Sequence, residues 1–437
     1  MLHVLALPLT LLLMQSPGQT PPTRRLTLRE ALTLAVQRNL TLARAQAEIS
    51  AADAGRRVVR SAVLPRLSVG GNAVRNSTEV SFGPVEDIRE VLPRSDWNWN
   101  LSLSQPIFAG LRDLRAYSQS KIDVEVAREG VRRTSDEVLL STSQEFLLAL
   151  EAEALIDVER QNLVLAETRR RQAQDLFDAG ETTRVDVLRA EADIKAAERR
   201  VVEAERSREV AVSALRIALA IDEDLTLVEP ASGERAVPVL PPQEELVSRA
   251  LGARPEVRQA EYMLENAQLE VKLQKGAYLP VVTADAGYIN QKRTFPASSY
   301  GFAALRVTVP IYQGGEVGAR VALAEEREKQ ASLTLEEVQR SVREDVRLAL
   351  FDLEATRTNL ALAEEQLQAA EAEYQQTFEL YQNQELTTLD VQSSEAALAD
   401  ARRAVATGRL LVYAAEVHAW YVAGSLTEVA LNQESRP

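Results

Sequence analysis

Two proline-free runs of the same length constrain this chain more than any other feature. The first is launched by Gln105-Pro106-Ile107-Phe108-Ala109-Gly110, extends from Leu111 to Phe177, and ends at Gly180-Glu181-Thr182-Thr183-Arg184-Val185-Asp186, where glycine and threonines signal a reversal. Written as one helix it is about 100 Å long, several times the ordinary length. Val309-Pro310-Ile311-Tyr312-Gln313-Gly314-Gly315 launches the second run, and Tyr381-Gln382-Asn383-Gln384-Glu385-Leu386-Thr387-Thr388-Leu389-Asp390 reverses it. Pro106 and Pro310, Phe177 and Tyr381, Asp186 and Asp390 are each 204 residues apart. The constant offset implies duplication of one elongated unit. Length held so strictly implies that both turns reach the same level in space.

Ahead of each run the period of the apolar residues falls from 3.6 to 2. Trp97, Trp99, Leu101 and Leu103 alternate with Asn98, Asn100, Ser102 and Ser104, so one strand face is greasy and the other wet. Arg66 to Asn76 is a rougher partner strand, and Ser77 to Asp96 reads as a long loop. In the second unit Val281–Tyr288 and Ala303–Val309 alternate in the same way. An ordinary half-buried sheet has this pattern too. The strands nevertheless have about the length that crosses a bilayer at a tilt, and tryptophans recur at membrane interfaces. Lipid forbids open sheet edges, and the smallest barrels of this kind need about eight strands. A membrane reading of four strands therefore requires oligomerisation.

Along the long runs an apolar stripe recurs every seven residues. In the second it is Val346, Leu353, Leu360, Leu367, Tyr374 and Tyr381, beside small residues Ala349, Thr356, Ala363, Ala370 and Thr377. Ala149, Ile156, Leu163 and Phe177, flanked by Ala152, Ala166 and Ala173, repeat it in the first. Returning helices supply Val187, Ile194, Val201 and Val391, Leu398, Val405, Val412. A sustained seven-residue period means helices wound side by side. Shorter helices are expected at Thr27–Arg38 and Thr41–Ala62, and again at Glu244–Leu251 and Glu256–Lys275.

Aromatic residues make up only 5% of the chain, the balance of long packed helices rather than a compact core. There is no cysteine, which excludes disulfides and thiolate chemistry. Net charge is −14, against a nucleic-acid partner; it reads either as solvated helix surface or as an acidic lumen. Met1 to Gln19 reads as a signal peptide, its apolar stretch too short to span a membrane. The organisation expected is a leader over 1–19, a first repeat over 20–225 with a β-hairpin at 66–104 and a helical hairpin at 111–219, and a second repeat over 226–424 with hairpins at 281–309 and 315–422. A short mobile tail, 425–437, follows. No phosphate-cradling glycine loop, metal-spaced histidines or nucleophile–base pair stands out, and His418 lacks co-ligands, so no enzyme, cofactor or metal is expected.

The ordered set of leader, two-fold repeat, Leu-Pro before each first strand, proline-bearing launch motifs and Asp-Ala-Gly…Asp-Val-Leu turn resembles the TolC-like outer-membrane efflux proteins over residues 26–424. The resemblance implies a mainly α fold with a small β part, and a homotrimer whose chains give four strands each to a twelve-stranded barrel in outer-membrane lipid. Helices would continue as an α-barrel through the periplasm. It also implies a periplasmic adaptor, an inner-membrane RND or ABC transporter, and a passive exit duct for efflux or type I secretion. The other reading is a periplasmic coiled-coil adaptor or scaffold without a barrel. The candidate lipid-facing residues are Trp97, Trp99, Leu101 and Leu103, and the candidate aperture residues are Gly180, Thr183, Asp186, Thr387 and Asp390. Thr183 with Asp186, and Thr387 with Asp390, have the spacing of a helix capping box. In the family, acids at this level also ring the constriction. Gln384, Leu386 and Ser393 depart from the family at the second turn, which argues against the salt-bridged lock found in some members.

Overall fold

The computed structural model describes residues 24–82, 89–228, 239–292, 298–383 and 385–431; the expected leader and Gln384 lie outside the described residues. In chain order the elements are β1 (Arg24–Leu26), α1 (Leu28–Arg38), α2 (Leu40–Ser61), β2 (Arg66–Arg75), β3 (Val80–Phe82), β4 (Arg89–Leu92), β5 (Ser95–Ala109), α3 (Arg112–Asp178) and α4 (Arg184–Leu219). After them come β6 (Leu225–Leu227), α5 (Gln243–Ala253), α6 (Pro255–Lys275), β7 (Val281–Gln291), β8 (Ser299–Thr308), α7 (Glu316–Gln382), α8 (Thr388–Val422) and α9 (Leu426–Leu431). The fold is mainly helical with a small β part.

Helices α3 and α7 are each 67 residues long, and Arg112 and Glu316 begin them 204 residues apart. Ala149, Ile156, Ala166 and Ala173 of the first stripe are buried, as are Val346, Ala349, Leu353, Ala370 and Tyr381 of the second. Helix α3 packs on α4 and α8, and α7 packs on α8. This leaves α4 and α7 as the outer flanks, and they expose Val202, Val210 and Ile217 on one side and Leu333, Phe351 and Leu362 on the other.

The short helices are set by their caps. Asn39 closes α1 and opens α2, its side chain accepting hydrogen bonds from the backbone N–H of Thr41 at 2.8 Å and Leu42 at 3.2 Å. In the second unit Arg254 is extended ahead of Pro255, which takes the first helical position where its missing N–H costs nothing. Helices α1 and α5 gather at the middle of the long ones, where Leu26, Leu139, Phe146, Leu215, Leu246, Val342, Trp420 and Leu426 form one core, while α2 lies along α3 and α6 along α3 and α7.

Four strands form one antiparallel sheet in the order β2-β5-β7-β8, with β5 and β7 joining the two units. Strand β5 runs on through Pro106 to Ala109, with a register shift between Pro106 and Phe108, so the first launch motif is strand before the helix begins. Both units turn the corner into the long helix in left-handed backbone. Gly110 (φ 67°) must be glycine, because a Cβ there would lie 2.1 Å from the Gly276 carbonyl oxygen.

Two expectations are corrected, and one pairing is added. Part of the loop at 77–96 is structured, because β3 and β4 pair antiparallel within it. The chain end is not a free tail as far as Leu431: α9 docks on α1 and α3, with Leu426 and Ser425 buried and the Thr427 hydroxyl donating to Asp136 at 2.6 Å. In addition, β1 and β6, three residues each, pair in parallel and tie the start of the described chain to the connection between units.

Candidate functional site

The sheet has two unlike faces, and cross-strand register shows that each is continuous through all four strands. Residues directly opposite one another share a face. Leu67 faces Leu103, Val69 faces Leu101 and Ala73 faces Trp97 across β2 and β5. Leu101 faces Tyr288 and Leu103 faces Ala286 across β5 and β7, and Ala284 and Val282 face Leu305 and Val307 across β7 and β8. Trp97, Trp99, Leu101 and Leu103 thus stand on one apolar face with the outward residues of the second unit. Leu67, Val69, Leu305 and Val307 on it are more than half exposed. Trp99 and Tyr288 pack ring to ring at 5.6 Å. The opposite face is wet. Ser68 and Ser102 share a hydrogen bond at 2.7 Å, the Ser104 hydroxyl donates to Asp285 at 2.7 Å, and Arg306 lies 3.9 Å from the same carboxylate. An apolar surface of this extent demands a covering. Strands of 10 and 11 residues match a tilted bilayer crossing. Among the described residues no helix is long and apolar enough to cross a membrane.

At the far end of the long helices, both reversals are built the same way. Gly180 (φ 80°) takes the left-handed position after α3. Thr183 and Asp186 form a capping box, the carboxylate accepting from the Thr183 hydroxyl at 2.6 Å and the Thr183 N–H at 3.3 Å. Thr387 and Asp390 repeat it at 2.6 and 2.9 Å. Hydrogen bonds from Thr183 and from Thr387 hold the two carboxyls below the usual carboxylate range. The surroundings differ. Asp186 also accepts from the Thr182 hydroxyl at 2.9 Å and has the Arg189 guanidinium at 3.6 Å. The corresponding positions of the second reversal are Leu386, which has no hydroxyl, and Ser393, which has no charge.

A third cluster escaped the sequence reading. Arg169 is 2% exposed on α3, ion-paired with Asp193 of α4 and, at 2.7 Å, with Glu395 of α8. Gln392 of α8 donates to Asp193 at 2.6 Å. Burial, ahead of the opposing pull of Arg169 and the push of Asp193, raises the Glu395 carboxyl, and burial pushes Tyr374 up to about 12. The signal was present: Arg169 lies three residues after Ala166 and four before Ala173, on the small-residue stripe itself.

A family model described as outer membrane efflux protein matches residues 31–220 and 246–418. The outer membrane efflux protein BepC of Brucella suis is 26% identical over 375 residues, 84% of this chain and 79% of that one. The alkaline protease secretion protein AprF of Pseudomonas aeruginosa is 24% identical over 326 residues, 69% and 65% of the two chains. Among solved structures, CusC superposes with a TM-score of 0.80 at 16% identity, covering 94% of this chain and 95% of that one. The outer-membrane channel OprN gives 0.78 at 20% identity, over 91% and 89%. The open state of the MtrE outer membrane channel of Neisseria gonorrhoeae gives 0.75 at 20% identity, over 94% and 91%.

Proposed function

This chain belongs to the outer membrane efflux protein family, and from that premise we propose how its two sites make a duct. It sits in the outer membrane, extends into the periplasm and serves as an exit channel of an efflux or secretion system. In our reading the units 20–225 and 226–424 each supply a strand pair and a helical hairpin, after a leader over 1–19. Three copies of the chain bring twelve strands together, β2 of one meeting β8 of the next. The apolar face turns to lipid and the Ser102–Asp285 face to water. The exposed flanks of α4 and α7 then meet their neighbours in an α-helical tube. Its periplasmic mouth is ringed by Thr183, Asp186, Thr387 and Asp390, with Gly180 in the turn. The duct does no chemistry of its own; a periplasmic adaptor and an inner-membrane RND or ABC transporter drive cargo into it.

One observation carries this reading: a four-stranded sheet with an uninterrupted apolar face and two unpaired edges. Lipid tolerates neither edge, and only further copies can remove both. A coiled-coil adaptor has no use for four strands in matched register with their greasy side outward. BepC, named for efflux, and AprF, named for protease secretion, support both kinds of cargo system as settings for such a duct. The test is the mass of the detergent-extracted protein. A trimer is expected; a water-soluble monomer or dimer that never enters detergent micelles would overturn the barrel.

A further inference from the structure

Close to the reversals each hairpin is held by an apolar seam, and a buried polar cluster ties the two hairpins to each other. Near its reversal the first hairpin closes on Ala173, Val187 and Ala190, and the second on Ala370, Leu398 and Ala401. Both seams are apolar at this level, with ion pairs such as Arg160–Glu205 and Arg357–Glu416 crossing them farther from the turn, and a five-residue turn sets the register of each. Between the hairpins, α3 and α8 share no turn. An apolar stripe of period seven packs almost equally well after a slip of one heptad, about 10 Å, so it cannot by itself set their level. Apart from Leu165, which packs on Ala370, Leu398 and Ala401, and the shared core around Leu139 and Trp420, what joins them toward the reversals is polar. Arg169 reaches Asp193 and Glu395 on two different helices, Gln392 links α8 back to α4, and Arg403 donates to Glu159 at 2.8 Å farther along.

This cluster is not built for stability. Burying an ion pair costs several kcal/mol of desolvation, recovered only when every group is satisfied. Here Arg169 Nε, Glu395 Oε1 and both amide atoms of the buried Asn162 have no protein partner, beside a cavity of about 420 Å³ that Arg169, Asp193, Gln392 and Glu395 help to line. Directional contacts of this kind have one register where an apolar seam has several.

We propose that Arg169 is an alignment key. Through Asp193, Glu395 and Gln392 it holds α8 at one axial level against α3 and α4, so that the two reversals, about 16 Å beyond it, end together. The consequence for a duct mouth rests on the functional reading above; the alignment itself does not. Arg169 acts as a positioning residue, and its branched guanidinium is required because two carboxylates on separate helices must be bound at once.

The chain has no cysteine, so spin labels can be placed on L188C and L389C, both exposed and both between the key and the turns. Labelled protein diluted with unlabelled protein reports the distance within one chain. The native protein should give one narrow distribution. Arg169→Leu combined with Asp193→Asn and Glu395→Gln should broaden it about twofold or shift it by roughly one helical turn, ~5 Å, with an almost unchanged unfolding midpoint. Arg169→Lys, which keeps the charge and loses the fork, should broaden it as well. An unchanged distribution in either variant overturns the proposal, as does broadening that appears only with loss of cooperative unfolding. A protein that keeps the narrow distance and yet never conducts would sink the duct and leave the key standing.

Discussion

The two units share a skeleton and differ in what they hang on it. Both long helices have 67 residues and both reversals have a Thr–Asp capping box. Yet at the corner into the long helix the first unit places Leu111 in left-handed backbone (φ 62°), where the second has Gly315 (φ 83°). At the far end of the returning helix the pair is Ala220 (φ 52°) and Gly424 (φ 68°). A side chain in that conformation costs about 1–2 kcal/mol. Geometry has been kept in both units while local comfort has not. The reversals diverge in charge: Asp186 shares its carboxylate with Thr182 and Arg189, while Asp390 has the Thr387 contacts and, among the described residues, no cation paired with it. What the two units share is length, 67 residues in both α3 and α7; the electrostatics of their reversals is unequal.

The strand faces give the largest expected effect, because there the units should not differ. Leu101→Arg in the first and Leu305→Arg in the second should each cost roughly 2–4 kcal/mol of insertion if they lie near the midplane. Both should reduce the yield of membrane-assembled oligomer, whereas Ser102→Arg on the wet face should not. A loss confined to one unit would mean that only one strand pair faces lipid.

The corners should differ. Leu111→Gly should stabilise the protein by about 1 kcal/mol and Gly315→Leu should destabilise it by about as much, read from unfolding midpoints. Nothing lies within 4 Å of a Cβ added at Gly315, so no clash at the Cβ adds to the backbone strain. Equal responses at the two positions would remove this contrast. At the reversals, Thr183→Ala and Thr387→Ala should each loosen the first turn of the following helix by about 1 kcal/mol, seen as faster amide exchange. Both aspartates have folded-state pKa values below the unfolded value of about 3.9. Cap stabilisation is therefore complete above that value and is lost as pH falls through the lowered one. Exchange in both turns should quicken only in that acid window. The smallest effect separates the two acids. Asp390→Asn should shift the reversal potential in a salt gradient more than Asp186→Asn, whose charge Arg189 already offsets. Equal shifts would show that Arg189 points its charge elsewhere in the assembled mouth.

The parts legible in the sequence were those with a long period. The constant spacing of Pro106 with Pro310 and Asp186 with Asp390 located both 67-residue helices, and strict alternation over Trp97–Ser104 located the strand that carries the tryptophans. Strands β1 and β6 were missed because three residues carry no period, and their pairing is a tertiary event. Strands β3 and β4 were hidden in a stretch dominated by Gly83, Pro84 and Pro93, which reads as loop. Helix α9 is six residues long, and it is held by Leu426 and Thr427 against α3 rather than by propensity. Leu111 and Ala220 were invisible because the sequence rule runs from glycine to positive φ and not from leucine or alanine. Arg169 sits where an arginine on a helix is ordinarily assigned to solvent; only its place on the alanine stripe marks it as buried.

The measurement that tests the account most directly is the conductance of the purified, detergent-extracted protein in a planar bilayer, with its oligomeric mass taken on the same sample. A trimer giving discrete, cation-favouring steps is the result predicted by a twelve-stranded barrel with carboxylates at its mouth. A protein that never inserts, or that inserts without conducting, would contradict it.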